Sequence, residues 1–194
     1  MDLGSINIRR ILMKYVIITL LILVSAFCVL LVVASLQPKD WKLERSVLIK
    51  APPAKVWAVV SDFSRFNEWN PYYHADPGAK VEYLGPAATV GSRYTWDGAK
   101  SGAGTITTKV ILPNERLDYE LDFKRPMAVI NEGAFVLSRT DDEDLTRMTW
   151  IMSGVHSGFA GLVSRMVYLF YNMEKMLGPM FEDGLSRLKM ICEK

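Results

Sequence analysis

Three side chains in this 194-residue chain are our candidates for proton transfer, and they are spread along it. His156 stands two residues before a glycine, Asp97 directly follows a tryptophan, and Tyr119 lies in an alternating segment. Each type can serve as a general acid or base when it is held in a cavity. A loop position for His156 and a turn hydrogen bond for Asp97 are the ordinary alternatives, and we favour them. All three remain weak candidates for acid–base chemistry.

The sequence predicts no metal site and no cofactor. Its two histidines, His74 and His156, have no nearby cysteine and no clustered carboxylates. The acidic run 141–144 lacks the spacing and the glycine of a calcium loop. The run Gly102-Ala103-Gly104 lacks the third glycine of a dinucleotide fingerprint and opens a strand instead of a helix.

Aromatic and methionine side chains are a better clue than the polar ones. Met148, Trp150 and Met152 alternate on one face of a predicted strand. Such side chains serve either as core fillers or as the flexible lining of a pocket for lipids or quinones, and the sequence leaves both open. We expect the lining of such a pocket to come from Trp69, Trp96, Tyr119, Phe123, Phe135, Met148, Trp150, Met152, Met166, Phe170, Met173 and Leu177.

The elements that would position these residues follow from the periodicity. Residues 117–124 alternate strictly between apolar and charged side chains, which predicts an antiparallel strand with one wet face. Turn residues separate this strand from similar segments. We predict seven strands at residues 42–50, 80–84, 92–96, 104–112, 117–124, 133–138 and 145–153. Two short helices, beginning at Pro53 and Ser64, follow the first strand, and Asn70-Pro71 ends the second of them.

Residues 158–194 carry apolar side chains at three-to-five-residue steps, which predicts one long amphipathic helix. It is the only element long enough to cover the apolar face of the predicted sheet. Pro179 removes a helical hydrogen bond, so we expect a kink at Gly178-Pro179. The half before the kink would face a cavity, and Leu185, Leu188 and Ile191 would pack in the core.

The N-terminal part of the sequence has the composition of a membrane segment. Residues 15–36 are uncharged and about as long as the ~20 apolar residues that cross a bilayer. Secretory signals have shorter apolar regions, of about 7–15 residues, so we favour a retained single-pass anchor. Arg9, Arg10 and Lys14 precede it, which favours a cytoplasmic segment 1–14 and an extracytoplasmic globular domain. A linker, 37–41, would join the anchor to a domain spanning 42–194.

Charge and cysteine content exclude some function classes. The chain has 23 Lys and Arg and 21 Asp and Glu, of which three and one precede residue 39, leaving 20 of each sign afterwards. A neutral domain without a basic stripe argues against nucleic acid as a partner. Cys28 and Cys192 lie in segments with different predicted environments, so we interpret both as free thiols. The oligomeric state is not predicted.

The order of these elements resembles the helix-grip fold. The sequence resembles the SRPBCC, or START-like, superfamily, specifically its polyketide cyclase/dehydrase and lipid-transport branch, over residues 42–191. The matching runs include Ile49-Lys50-Ala51-Pro52-Pro53, residues 56–63 (VWAVVSDF), residues 91–96 (GSRYTW), Thr149-Trp150 and residues 181–189 (FEDGLSRLK). The resemblance implies an α+β fold, in which a curved seven-stranded antiparallel sheet grips a C-terminal helix around a cavity for a hydrophobic molecule.

Three hypotheses for the function follow. The first is a membrane-anchored, non-catalytic module that binds a lipid, a quinone or an aromatic metabolite. The second is an enzyme of cyclase/dehydrase type that uses His156, Asp97 or Tyr119 as its acid–base group. The third is a membrane-anchored partner-binding or structural protein whose cavity has become a filled core.

Overall fold

The computed structural model describes residues 3–156, 158–169 and 173–194. The helices are α1 (Leu3–Leu36), α2 (Pro53–Val60), α3 (Pro71–Ala75), α4 (Gly158–Tyr168) and α5 (Met173–Cys192), with a 3₁₀ helix at Phe63–Glu68. The strands are β1 (Asp40–Ile49), β2 (Lys80–Leu84), β3 (Arg93–Gly98), β4 (Gly102–Leu112), β5 (Arg116–Arg125), β6 (Val129–Arg139) and β7 (Thr146–Val155).

The seven strands form one sheet in the order β1-β7-β6-β5-β4-β3-β2, and every neighbouring pair is antiparallel. The first strand pairs with the last, so that Leu43 lies opposite Met152. The β4–β5 pair shifts register twice, between Ala103 and Gly104 and between Thr108 and Val110. Such irregularities bend a strand and increase its twist, which favours curvature. The predicted curved antiparallel sheet and the α+β class are confirmed.

Strand β5 shows why the sheet forms. Leu117, Tyr119 and Leu121 are buried, while Asp118 and Glu120 between them remain partly accessible. Because side chains alternate across a strand, this sequence can bury only one face. Strand β6 begins four residues earlier than the alternation from residue 133 predicts, at Val129.

The segment after β1 differs from the prediction in one respect. Helix α2 and the 3₁₀ helix lie close to the predicted helices, but Asn70-Pro71 begins a third helix instead of only ending the second. The Asn70 side chain accepts a hydrogen bond from the Tyr72 backbone N–H at 3.0 Å, which caps α3. Pro71 occupies the first turn, where its missing N–H costs nothing.

Helix α5 supplies the apolar face that closes the core. Phe181, Leu185, Leu188 and Cys192 recur at three-to-four-residue steps and are buried. The Phe181 ring stacks on Trp150 of β7, with ring centroids 4.1 Å apart and an interplanar angle of 16°. The predicted core positions Leu185 and Leu188 are buried, and Ile191 packs partly buried against them.

The C-terminal region corrects the prediction of one helix over 158–194. The structure has two helices, α4 and α5, and they belong to different compact units of the chain. Helix α5 continues through Gly178-Pro179, where the kink was expected. The apolar stripe misled the prediction because two amphipathic helices in succession produce the same periodicity as one.

The smaller unit contains α1 and α4. Residues Ile11–Leu36 of α1 form a 26-residue helix long and apolar enough to cross a membrane. Arg165 of α4 is buried, and its Nη1 donates to the carbonyl oxygens of Ser35 and Gln37 at 3.2 and 3.1 Å. A cation at a helix C-terminus pairs with carbonyls that lack helical partners, so Arg165 fastens α4 to the end of α1.

Candidate functional site

The larger unit contains a cavity of about 380 Å³ against the apolar face of the sheet. Six strands, the 3₁₀ helix, α3 and α5 contribute side chains to its wall, and nine of the eighteen lining residues are aromatic. The lining consists of Trp41, Phe66, Asn70, Tyr72, Tyr73, Ala79, Tyr94, Trp96, Lys100, Ser101, Ile106, Tyr119, Leu121, Phe123, Asn131, Trp150, Met152 and Leu177. The space is open, so the filled core considered from the sequence is not found in this unit.

Two glycines in the sheet make room for the wall. A Cβ at Gly133 of β6 would collide with the ring and hydroxyl of Tyr119, which faces it on β5. A Cβ at Gly154 of β7 would collide with the Asn131 amide oxygen and approach Trp41 Nε1 to 2.7 Å. Because glycine has no Cβ, the large side chains at these two positions can lie close against the backbone.

Tyr119 is a polar group within the apolar wall. It is 3% exposed, and its hydroxyl accepts a hydrogen bond from Trp150 Nε1 at 2.8 Å. Burial raises the pKa of the Tyr119 hydroxyl above its usual value. The group therefore stays protonated at neutral pH and can donate a hydrogen bond.

Asn131 is a second polar group in the wall. It is 7% exposed, and among the described residues its side-chain amide has no hydrogen-bond partner. Buried amides are normally paired, because an unpaired one loses its hydration without compensation. Asn131 therefore presents an unused acceptor and two unused donors to the cavity.

Tyr94 and Asn70 are held by a hydrogen-bond network. The Tyr94 hydroxyl donates to Asn67 Oδ1 at 2.7 Å and accepts from Asn70 Nδ2 at 3.3 Å. Burial raises the pKa of the Tyr94 hydroxyl, so it acts as a neutral donor and acceptor here. Both side chains are therefore committed to the protein and line the cavity in fixed orientations.

Asp76 fixes the turn between β3 and β4, which supplies Lys100 and Ser101 to the wall. Its Oδ2 atom accepts from the backbone N–H of Lys100, the backbone N–H of Ser101 and the Ser101 hydroxyl, each at 2.9 Å. These hydrogen bonds, led by the one from the Ser101 backbone, lower the pKa of the Asp76 carboxyl. Lys100 itself is exposed.

The structure brings together half of the side chains predicted for the pocket. Six of them line the cavity, namely Trp96, Tyr119, Phe123, Trp150, Met152 and Leu177. Trp69, Phe135 and Met148 are instead fully buried in the packed core and do not line it. The Trp69 ring packs edge-on against those of Phe66, Phe135 and Trp150, and its buried N–H has no hydrogen-bond partner in the described part of the chain.

The remaining pocket candidates come from the C-terminal region. Met166 lies in α4, in the unit that contains α1, so its predicted role in a cavity stays a prediction. Phe170 and the side chain of Met173 lie outside the described residues.

Of the three acid–base candidates, only Tyr119 lies in the cavity wall. Asp97 is exposed near the end of β3 and forms an ion pair with Arg125. His156 belongs to the unit with α1 and α4, where its ring lies 4.9 Å from that of Tyr168. Burial and then Arg165 lower the pKa of the His156 imidazole, which favours its neutral form.

Asn131 and Trp41 were missed as site residues. Asn131 precedes the point at which the alternation of β6 becomes clear, and Trp41 falls in the predicted linker. The alternation of side chains along a strand could have indicated Asn131. It is two residues before Gly133 and therefore lies on the same face of the strand. Among the described residues, no group of three or more His, Cys, Asp or Glu could hold a metal ion.

Solved structures share this fold at low sequence identity. A protein from Chromobacterium violaceum matches with a TM-score of 0.55 and 18% identity, over 81% of this chain and 99% of its own. A protein from Thermobifida fusca matches with a TM-score of 0.57 and 19% identity, over 78% of this chain and 92% of its own. The Aha1 dimer from Colwellia psychrerythraea matches with a TM-score of 0.55 and 17% identity, over 79% of this chain and 96% of its own. At this identity the matches show the helix-grip fold alone.

No curated protein matches the chain. A family model does: the model described as polyketide cyclase / dehydrase and lipid transport matches residues 40–193, which are the sheet, the short helices, α4, α5 and the segments between them. The match covers well over half of the sequence, and it agrees with the sheet order and the cavity found in the structure. The chain therefore belongs to the polyketide cyclase/dehydrase and lipid-transport family of the SRPBCC superfamily.

Proposed function

We propose that this chain is a membrane-anchored module that binds a hydrophobic small molecule, such as a lipid, a quinone or an aromatic metabolite. The observation that carries the proposal is the cavity of about 380 Å³ with nine aromatic side chains in its wall. Its volume falls within the roughly 300–1,000 Å³ of ligand pockets. Each ligand methylene buried there contributes about 0.8 kcal/mol, so an apolar ligand binds without many polar contacts.

The wall supports binding more than catalysis. Among the described lining residues, none carries a carboxylate, an imidazole or a thiol. Tyr119 has a raised pKa, so its hydroxyl is a hydrogen-bond donor and a poor base at neutral pH. An enzyme of cyclase/dehydrase type that uses Tyr119 as an acid is the second candidate, because that hydroxyl lies in the wall. In that case Tyr119→Phe would abolish turnover of a bound substrate and leave its affinity nearly unchanged.

The anchor is the second part of the proposal. The 26 residues Ile11–Leu36 exceed the ~20 needed to span the hydrocarbon core. Segment 1–14 would lie in the cytoplasm, residues 15–36 in the membrane and 37–41 in a linker, with domain 42–194 on the extracytoplasmic side. Reporters fused to the C-terminus, each active on only one side of the membrane, test this topology. Activity of the cytoplasmic reporter alone would contradict it.

Filling the cavity tests the binding proposal. Leu121 is buried in the wall, so Leu121→Trp places a larger side chain in the open space. Leu112 on β4 is 49% exposed and does not line the cavity, so Leu112→Trp is the matched control. We expect Leu121→Trp to weaken binding of the neutral fluorophore N-phenyl-1-naphthylamine by tenfold or more, and Leu112→Trp to leave it unchanged.

The measurement uses the full chain in detergent, with a protein-free titration to subtract dye in micelles. Native mass spectrometry of gently extracted protein adds an independent readout of bound molecules. Equal dye affinities in both variants and the original chain, together with no co-purifying molecule, would refute the binding function.

A further inference from the structure

The strongest unexplained feature of the cavity is the amide of Asn131. The residue lies on β6 opposite Leu121 of β5, and its Oδ1 lies directly over Gly154 of β7. Gly154 itself faces Trp41 of β1, so the amide lies beside the indole of that residue. Asn131 is therefore held on the floor of the cavity by rigid strands on both sides.

The surroundings of Asn131 leave its hydrogen-bonding capacity unused. Only 7% of the residue is accessible, it lines the cavity, and none of the described residues bonds to its amide. Asn70, the other amide in the wall, is already paired with Tyr72 and Tyr94. Because the amide opens onto the cavity, a ligand that enters the cavity can hydrogen-bond to it.

The charge of the wall limits what this ligand group can be. Lys100, in the exposed turn held by Asp76, is the only lysine or arginine among the described lining residues. The neutral Asn131 amide gives an anionic group no countercharge, and a buried anion that lacks one is strongly unfavourable. A neutral oxygen does not carry that penalty, and an amide can donate to a carbonyl or accept from a hydroxyl.

We propose that the cavity selects an uncharged molecule whose apolar, ring-containing body packs against the aromatic wall and whose carbonyl or hydroxyl oxygen hydrogen-bonds with the Asn131 amide. The inference rests on the proposed binding function and adds a specificity residue and a ligand class to it. A cavity of about 380 Å³ holds the equivalent of roughly a dozen water molecules, which suits a body of two or three fused rings. Free fatty acids and other carboxylates are predicted to be poor ligands.

Three probes with the same ring system test the inference: naphthalene, 2-naphthol and 2-naphthoate. At pH 7 they present no polar group, a neutral hydroxyl and an anion. The full chain in detergent is titrated with each, and partitioning into protein-free micelles is measured separately. We expect 2-naphthol to bind about tenfold more tightly than naphthalene, the upper range for one net hydrogen bond, and 2-naphthoate to bind most weakly.

Asn131→Leu removes the amide and keeps a side chain of similar size. Glu132→Leu is the matched control, because the exposed side chain of Glu132 points to the other face of β6. We expect Asn131→Leu to weaken 2-naphthol by about tenfold while naphthalene binds equally well or better. Glu132→Leu should behave like the original chain. Because both variants are measured in the same micelles, their ratio cancels partitioning.

The outcomes separate the two proposals. If naphthalene binds but 2-naphthol gains nothing over it, or Asn131→Leu leaves 2-naphthol unchanged, the role of Asn131 is refuted while the binding function stands. Tightest binding of 2-naphthoate also refutes the inference. If none of the three probes binds, the inference fails, and the binding function is then decided by the N-phenyl-1-naphthylamine titration and native mass spectrometry. Should Asn131→Leu not fold, equal affinities of the original chain for 2-naphthol and naphthalene still refute the inference.

Discussion

Replacing Gly133 by alanine should destabilise the larger unit through one identifiable contact. The added Cβ would overlap the Tyr119 ring and hydroxyl, and Tyr119 is buried, so the ring cannot swing away freely. The ring must shift towards the cavity, and its hydroxyl then loses the 2.8 Å hydrogen bond from Trp150 Nε1. That N–H is buried, so losing its acceptor leaves an unpaired donor.

Three contributions determine the change in the free energy of unfolding. Overpacking a core costs about 1–3 kcal/mol, and an unsatisfied buried donor costs a further 1–3 kcal/mol or so. Replacing glycine reduces the entropy of the unfolded chain and returns about 0.4–1 kcal/mol. The net destabilisation is therefore about 3 kcal/mol, which in a domain of this size lowers the Tm by about 6–12 °C.

Thermal unfolding of the full chain in detergent, followed by circular dichroism, measures this change. Gly78→Ala is the matched control, because no atom lies within 4 Å of the position its Cβ would occupy. A double-mutant cycle with Tyr119→Leu isolates the contact, since removing the ring should make Gly133→Ala nearly neutral. If Gly133→Ala costs as much with leucine at position 119 as with tyrosine, the collision with Tyr119 is not the cause.

Two further predictions concern other parts of the larger unit. Asp76→Ala should lower the Tm by several degrees at pH 7, because three donors of the 100–101 turn lose their acceptor. Since folding lowers the pKa of Asp76, its contribution is present above the ordinary aspartate pKa of about 3.9 and is lost as the pH falls further, so the Tm difference should shrink in acid. Cys192 is buried, with a pKa raised to about 11, so in a Cys28→Ser background maleimide at pH 8 should label the chain only after unfolding. A Tm difference that does not depend on pH, or rapid labelling of the folded chain, would contradict these two accounts.

The sheet was predictable from the sequence because one face of each strand is apolar. Residues 117–124 alternate without exception, and the predicted strand is extended by only one residue at each end in β5. The start of β6 was not predictable in this way, because Val129 and Ile130 are both exposed and Asn131 places a polar side chain on the buried face. Alternation fails where a strand contributes a polar group to a cavity.

The cavity wall was predictable only in part, for a reason of packing. Trp69 and Trp96 are the same residue type, yet Trp69 is fully buried and Trp96 lines the open space. Whether an inward-facing side chain meets another side chain or a void depends on contacts between distant segments. Met148 and Met152 lie on the same face of β7, yet Met152 lines the cavity and Met148 is buried in the core. The sequence pattern of the strand does not distinguish these two positions.

The bond between Arg165 and the end of α1 has an evolutionary consequence. Its acceptors are the main-chain oxygens of residues 35 and 37, which every amino acid provides. Substitutions at Ser35 and Gln37 therefore leave the link intact, whereas lysine at position 165 offers a single ammonium group in place of the planar fork of the guanidinium. Sequence change at positions 35 and 37 is therefore compatible with these two hydrogen bonds, whereas change at position 165 is not.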